Sequence, residues 1–306
     1  MTLTGRHITA GDLTPVTVQT ESTYGTPTGD PILYGDIAEG GNFTMKDTPN
    51  PYLSWRYGSR SFNPDNYVTQ QKDAGFTASL EVRDVSGWKQ IIDYAMKPLG
   101  GGYDLEPMLD ARTEAIYVRT GSSAWSGREY NGCKTNKLTI SADAPGGIVK
   151  FEEEVLASKS TPKTLTGAIT AWADTHSAVQ WMGGMTFAGA SIYPQSFSLT
   201  ISNNLERIRV PDASGNAITG ALIEGRREVE FEADLWMEDL AQVNNAIDNA
   251  SISGLCYVTL GITNKVRISL VNPKWIADGN NPSIIQDKQR ETIRLRATSI
   301  SVSTVS

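Results

Sequence analysis

The sequence predicts a mainly β protein of two tandem antiparallel β-sandwich or part-barrel domains, each with a flanking α-helix and a long inter-strand loop. Three observations lead to this fold class. Apolar and polar residues alternate along many short segments, turn residues separate these segments, and both halves of the chain repeat the same order of elements. Alternation with a period of two is typical of strands that are buried on one face only.

The alternating segments are "FSLTIS", "EVEFEADL", "CYVTLGI", "VRISLV" and "TIRLRATSISV". Turn residues interrupt the strand pattern at Asn131-Gly132, in "APGG" from Ala144, and at Asp278-Gly279. Short connections of this kind join antiparallel strands. A sheet with one apolar face must bury that face against another layer, which favours a sandwich with a helix on its flank.

The two halves of the 306-residue chain align at a shift of 154 residues, which places Phe43 on Phe197. Further on, "GFTASLEVRDVSGWKQIIDYA" aligns with "VEFEADLWMEDLAQVNNAIDNA", and each predicts a strand followed by a helix. The apolar stripes of the two helices are Trp88, Ile91 and Ala95, and Leu240, Val243 and Ile247. We therefore predict a first domain over 1–160 and a second over 161–306, with chance resemblance as the alternative.

Two long connections, Lys46–Gly75 and Ser202–Gly225, occupy the same place in each repeat. Loops of this length are uncommon in compact domains and are usually functional. The first connection combines aromatic residues with arginine, a composition typical of protein interfaces. Its candidate contact residues are Tyr52, Trp55, Arg56, Tyr57, Arg60, Phe62 and Tyr67. The alternatives are a loop folded back on its own domain and a nucleic-acid contact, which the formal net charge of -7 disfavours.

Acidic residues recur at every second position of two predicted strands. If Val229, Phe231, Ala233 and Leu235 face the core, the acids between them face outward. The six acids predicted to face outward are Glu152, Glu154, Glu228, Glu230, Glu232 and Asp234.

The other exposed strand positions are polar or basic. The matching strand of the first repeat is predicted to expose Thr77, Ser79, Glu81 and Arg83, and the last long strand presents Thr292, Arg294 and Arg296 on one face. An ordinary solvated face is the alternative interpretation of these strands.

Few residues are available for catalysis. His7 and His176 have no sequence-adjacent partners, and no phosphate loop, dinucleotide fingerprint or nucleophile elbow is present. Glu152 and Glu154 resemble a glycosidase pair only in type, since they lie two apart on one strand. We predict no enzymatic activity, no cofactor and no metal.

The cysteine residues and the apolar segments of the sequence bear on the cellular compartment of the protein. Cys133 and Cys256 lack the spacing of a disulfide framework or zinc site and predict two free thiols in a reducing cytoplasm. No apolar run approaches the roughly 20 residues that span a bilayer, and the first residues lack the pattern of a secretory signal. We predict no membrane partner.

Three segments carry a resemblance to a known family: "ESTYGTP" from Glu21, "YNGCKTNKLTISADAPGGIVKFEEEVLASK" from Tyr130, and "SFSLTISNNLERI" followed by "IEGRREVEFEADL". Together they resemble the tail tube (major tail) proteins of long-tailed bacterial viruses and their archaeal relatives, in the large form with a duplicated domain.

The resemblance implies sandwich domains that close into homotrimeric, pseudo-hexameric rings, which stack around a lumen for viral DNA. It also implies partners of three kinds, namely further copies of the chain, a tape-measure protein, and tail terminator or tip proteins. The expected location is the virion tail, assembled in the host cytoplasm. The outward acids would then line the lumen, and the first long loop would join rings. The alternative is another structural β-sandwich of a virion, such as a decoration or baseplate module.

Overall fold

A computed structural model describes residues 15–37, 43–46, 48–53, 67–82, 85–99, 102–103, 109–119, 124–166, 179–211, 217–236, 252, 254–261, 265–276, 283–285 and 288–305. Within these residues the chain forms 23 strands and one helix. Nearly all strand pairs are antiparallel. The prediction of a mainly β fold is therefore confirmed.

The first half of the chain contains eleven strands and the helix. They are β1 (Pro15–Thr23), β2 (Thr26–Ile37), β3 (Phe43–Met45), β4 (Thr48–Leu53), β5 (Tyr67–Glu81), α1 (Val85–Ala95), β6 (Pro98–Leu99), β7 (Gly102–Tyr103), β8 (Arg112–Arg119), β9 (Ala124–Ala142), β10 (Lys150–Ala157) and β11 (Lys159–Thr166).

The second half contains twelve strands. They are β12 (Met185–Phe187), β13 (Ala190–Ile192), β14 (Ser196–Ser202), β15 (Glu206–Pro211), β16 (Ala217–Ile223), β17 (Glu228–Trp236), β18 (Cys256–Leu260), β19 (Lys265–Val271), β20 (Lys274–Trp275), β21 (Ser283–Ile285), β22 (Lys288–Ala297) and β23 (Ser299–Val305).

One sheet runs through both halves of the chain in the order β3-β5-β10-β9-β14-β17-β22-β20. The long strand β9 pairs with β8 and β11 through its first half, and with β10 and β14 through its second half. The hairpin β1-β2 continues from β8. A second sheet has the order β13-β12-β18-β19-β23-β7-β6.

The core lies behind the first sheet. Helix α1 buries Trp88, Ile91 and Ala95, which form its predicted apolar stripe. The ring centres of Trp88 and Phe151 lie 4.9 Å apart in a T-shaped arrangement. In the second half, the rings of Phe197 and Phe231 stack at 6.3 Å between the two sheets. The predicted second helix, with Leu240, Val243 and Ile247, lies outside the described residues.

One predicted turn is wrong and another is confirmed. Gly146 lies in the turn between β9 and β10, whereas Asn131-Gly132 lies inside β9. Gly132 has a φ of 64°, and a Cβ there would approach the Tyr24 ring to 2.8 Å. This glycine therefore serves a close approach within a strand, because a side chain would have no room.

The two predicted long loops contain β-hairpins. Thr48–Leu53 pairs with the first part of β5, and β15 pairs with β16 along six residues. We call the first hairpin arm one and the β15-β16 hairpin arm two. The loop prediction is wrong for these residues. In arm two the alternation of polar and apolar residues continues, as in "ERIRV" from Glu206, whereas arm one has no such pattern.

Candidate functional site

The pairing register places the six predicted outward acids on one face of the first sheet. A single row crosses five strands, from Glu152 to Thr139, Thr200, Glu230 and Arg296. Neighbouring rows carry the remaining acids. Because residues directly opposite each other share a face, the sheet combines strands from both halves of the chain into one surface. We call it the polar sheet face, made by the following residues: Thr44, Lys46, Thr77, Ser79, Glu152, Glu154, Lys137, Thr139, Ser141, Ser196, Ser198, Thr200, Ser202, Glu228, Glu230, Glu232, Asp234, Thr292, Arg294 and Arg296.

The residues between these positions are buried on the opposite face. Val229, Phe231 and Ala233 of β17 are buried, and Leu235 packs against the core. The predicted division of β17 into an apolar and an acidic face is confirmed.

Cationic partners accompany the acids of β17. Arg296 donates to Glu230 at 2.6 Å, and Arg294 donates to Glu232 at 3.1 Å. All four side chains are more than two-fifths exposed, so each pair contributes at most about 1 kcal/mol to stability. The alternation of Arg294 and Arg296 in the sequence indicated that both lie on one face of the strand, and the register of β17 with β22 decided which acids they contact.

The other acids of the face differ in their partners. Asp234 accepts hydrogen bonds from Ser196 and Thr292, and Lys46 donates to Glu154 at 2.6 Å. Glu152 and Glu228 make no ion pair with a described residue. The polar sheet face therefore carries both signs of charge. Sequence reasoning missed Lys46, because its partner lies 108 residues away.

Glu81 does not belong to the exposed face that was predicted for the first repeat. Its side chain is buried, and its backbone pairs with Asp36 of β2. Arg83 lies outside the described residues.

A buried ionic cluster lies behind the polar sheet face. Arg112 of β8 contacts the carboxylates of Glu114 and Glu153 and donates to Thr135 at 2.9 Å, and Thr135 donates to Glu153 at 2.6 Å. The Tyr94 ring of α1 lies 4.5 Å from the guanidinium carbon. Both carboxylates are fully buried. The sequence contained no signal for this cluster, because its members come from three strands.

The pKa of Glu114 is raised to about 8, mainly by burial and also by the charge of Glu153, against the opposing effect of Arg112. Two carboxylates thus face one guanidinium, and Glu114 holds a proton at neutral pH. The pKa of the neighbouring Cys133 thiol is also raised, mainly by burial. Since the thiolate is the reactive form, burial and the raised pKa both disfavour reaction at this cysteine.

Arm one contains two of the seven predicted contact residues within described strands. Tyr52 lies in β4 opposite Val68, and Tyr67 begins β5 opposite Leu53. The remaining five, Trp55, Arg56, Tyr57, Arg60 and Phe62, lie outside the described residues. The hairpin pairing brings both ends of the predicted contact segment together.

Arm two is fixed against the base of arm one. Arg207 donates to the carbonyl oxygens of Ala74 and Ala157 at 2.6 and 2.8 Å. Arg209 forms a two-pronged contact with Asp73 at 2.6 and 3.2 Å. The strands β16 and β5 also pair in parallel over two residues. The two arms are therefore joined in one sheet.

The described part of the chain contains no group of three or more His, Cys, Asp and Glu residues that could hold a metal ion. His7 and His176 lie outside it. Within the same residues, no helix is long and apolar enough to cross a membrane. Cys133 and Cys256 are free and buried, which confirms the prediction of two free thiols.

A model of the phage tail tube protein family matches residues 11–297. The chain belongs to the phage tail tube protein family. This tail tube protein is a structural component of the virion tail, and its family assembles into a tube with other tail components. A structural family favours the prediction that the chain is not an enzyme. No curated protein matches the chain.

Proposed function

We propose that three copies of this tail tube protein close into a ring, and that stacked rings form a hollow tube through which viral DNA passes during ejection. In this proposal, 1–160 and 161–306 are duplicated domains, so the trimer is pseudo-hexameric.

Matching strand pairs support the duplication. Phe43 pairs with Ala78 in the first repeat, and Phe197 pairs with Ala233 in the second, which corresponds to shifts of 154 and 155 residues. The order β3-β5-β10 thereby corresponds to β14-β17-β22. The two sets of three strands agree in strand order and direction, and the pairs β3-β5 and β14-β17 agree in register.

An open strand edge carries the proposal of a ring. In the second repeat, β14 is covered on its outer side by β9 over six residue pairs. The corresponding strand in the first repeat, β3, pairs with β5 on one side and with no described strand on the other. An exposed edge is a template for pairing. A second copy that pairs there continues the sheet head to tail, and such contacts close into rings.

The polar sheet face fits the wall of a lumen for DNA. The six acids repel phosphates, while Arg294, Arg296 and Lys46 are occupied by carboxylates and Lys137 makes no ion pair with a described residue. A wall on which acids outnumber the unpaired cations offers few sites for counterion release, which is the main source of non-specific affinity for DNA. DNA would then pass in a layer of water without binding to its sequence.

Further partners and locations follow from the same proposal. Arm one, with its aromatic and arginine residues, would contact the adjacent ring. A tape-measure protein and terminator or tip proteins would occupy the interior and the ends of the tube. The rings would assemble in the host cytoplasm and function in the virion tail.

The test is to remove one outward backbone donor from β3. The Lys46 N–H bonds to Gly75 of β5, so by alternation the Met45 N–H points to the open edge. Met45→Pro removes that donor and leaves the pairing with β5 in place. We expect the variant to stay monomeric, whereas the matched control Met45→Thr assembles as the wild type does, in electron micrographs and sedimentation velocity. Tubes formed by Met45→Pro at wild-type concentration would contradict the proposed closure.

A further inference from the structure

A cationic groove of about 470 Å³ lies on the outer face of the second sheet. It is lined by strands β12, β13, β18 and β19 and by the segment before β12. Lys265 and Arg267 supply its charge, and the guanidinium carbon of Arg267 lies 4.1 Å from the centre of the Tyr257 ring. This stacking fixes the position of the cation.

The cations of this groove have no acidic partner in the described part of the chain. Neither Lys265 nor Arg267 forms an ion pair with a described residue, and no acid is among the lining residues. Apolar side chains line the same groove, with Met182 at 59% and Tyr193 at 73% exposure. Tyr, Met and Arg together are typical of a protein interface. The groove therefore fits a partner with an acid among apolar side chains.

Arm two exposes a surface of that composition. Glu206, Ile208 and Val210 alternate along one face of β15, and Ile223 lies directly opposite Glu206 on β16. Ile208 is 43% exposed and Ile223 is 50% exposed. Glu206 makes no ion pair with a described residue.

The opposite face of arm two is the anchored one. It carries Arg207, which bonds to β5 and β10, and the buried residues Thr219 and Leu222. Arm two is thus held rigidly with its apolar face outward, so binding there loses little conformational entropy. Both this face and the groove are exposed, so neither covers the other within one chain.

We propose that the outer face of arm two of one copy docks into the cationic groove of another copy. Glu206 would pair with Arg267 or Lys265, and Ile208, Val210 and Ile223 would pack against Met182 and Tyr193. The inference rests on the proposed self-assembly and adds a contact separate from the β3 edge. Two different patches make a heterologous contact, which propagates from copy to copy.

The test is a charge exchange followed by sedimentation velocity of the full chain over a concentration series. Arg267→Glu and Glu206→Arg each place like charges in the proposed contact, and we expect each to weaken association by at least about tenfold. The double variant restores an opposite pair, and we expect it to regain most of the wild-type association. Lys89→Glu, a charge reversal at an exposed position of α1 outside both patches and outside the polar sheet face, is the matched control and should associate as the wild type does.

The outcomes separate this inference from the proposed ring. Single variants that associate as the wild type does, or a double variant no better than the singles, overturn the docking contact. A wild-type chain that stays monomeric at all concentrations overturns it as well. If the charge exchange behaves as expected but micrographs show neither rings nor tubes, the docking contact holds and the proposed ring fails. If Met45→Pro blocks assembly and the charge variants do not, the ring stands and the docking contact fails.

Discussion

The exposed ion pairs of the polar sheet face and the buried cluster around Arg112 use the same chemical groups in opposite environments. Glu152 and Glu154 face outward from β10, while Glu153 between them is fully buried beside Arg112. Strand alternation alone separates these neighbours. Water screens the first two charges, whereas Glu153 depends on a guanidinium and a hydroxyl for its stability in the core. Loss of an exposed pair should therefore change mainly what the surface binds, whereas loss of the buried cluster should lower the stability of the fold.

Removing the buried cation should have the largest effect. Arg112→Met leaves Glu114 and Glu153 in the core without a positive charge, which we expect to lower the free energy of unfolding by about 3–5 kcal/mol. Urea unfolding followed by tryptophan fluorescence measures this loss. The matched control Arg294→Met, at an exposed pair, should cost less than about 1 kcal/mol. Equal losses in the two variants would remove the distinction between the environments.

The pH dependence of stability should be the next largest effect. The folded pKa of Glu114, about 8, lies above its ordinary value of 4.5, so the folded chain binds one more proton than the unfolded chain between these values. The contribution of Glu114 is fully present below pH 4.5 and is lost as pH rises through 8, with a slope of at most about 1.4 kcal/mol per pH unit.

Glu114→Gln keeps a hydrogen-bonding group of similar shape that does not titrate. We expect this variant to lose the decline in unfolding free energy from pH 5 to pH 8 that the wild type shows. A wild-type profile that is already flat over this range would place the Glu114 pKa near its ordinary value.

The exposed pair between Glu230 and Arg296 should show the smallest effect. A double-mutant cycle with Glu230→Gln and Arg296→Gln should give a coupling energy of about 0.2–1 kcal/mol that falls as salt is added. A salt-independent coupling of several kcal/mol would indicate that this part of the face is shielded from water in solution.

Sequence reasoning predicted the strands better than their connections. The alternation in "FSLTIS" and "EVEFEADL" gave both the strand type and the buried face, because one-sided burial leaves a period of two. The same period continued into arm two, where length alone had suggested a loop. Gly132 was read as a turn because an Asn-Gly pair has the same local preference in a turn and at a tight contact inside a strand.

The candidate site, too, could be predicted from the sequence only in part. Which acids point outward could be read from β10 and β17 individually. Their arrangement in one row depended on the pairing of β9 with β14, and their partners Lys46 and Arg296 depended on the register of further strands. Pairings between distant segments have no local signature, since any two alternating strands can pair in several registers.

The sequence by itself determined a mainly β fold, the two faces of strands such as β10 and β17, and the stripe of α1. These follow from local periodicity and composition. The tertiary structure decided that strands from both halves of the chain form one sheet, that Glu153 meets Arg112 in the core, and that arm two is anchored with an apolar face outward. Those outcomes depend on which strands pair, and pairing is settled by the burial of the whole chain.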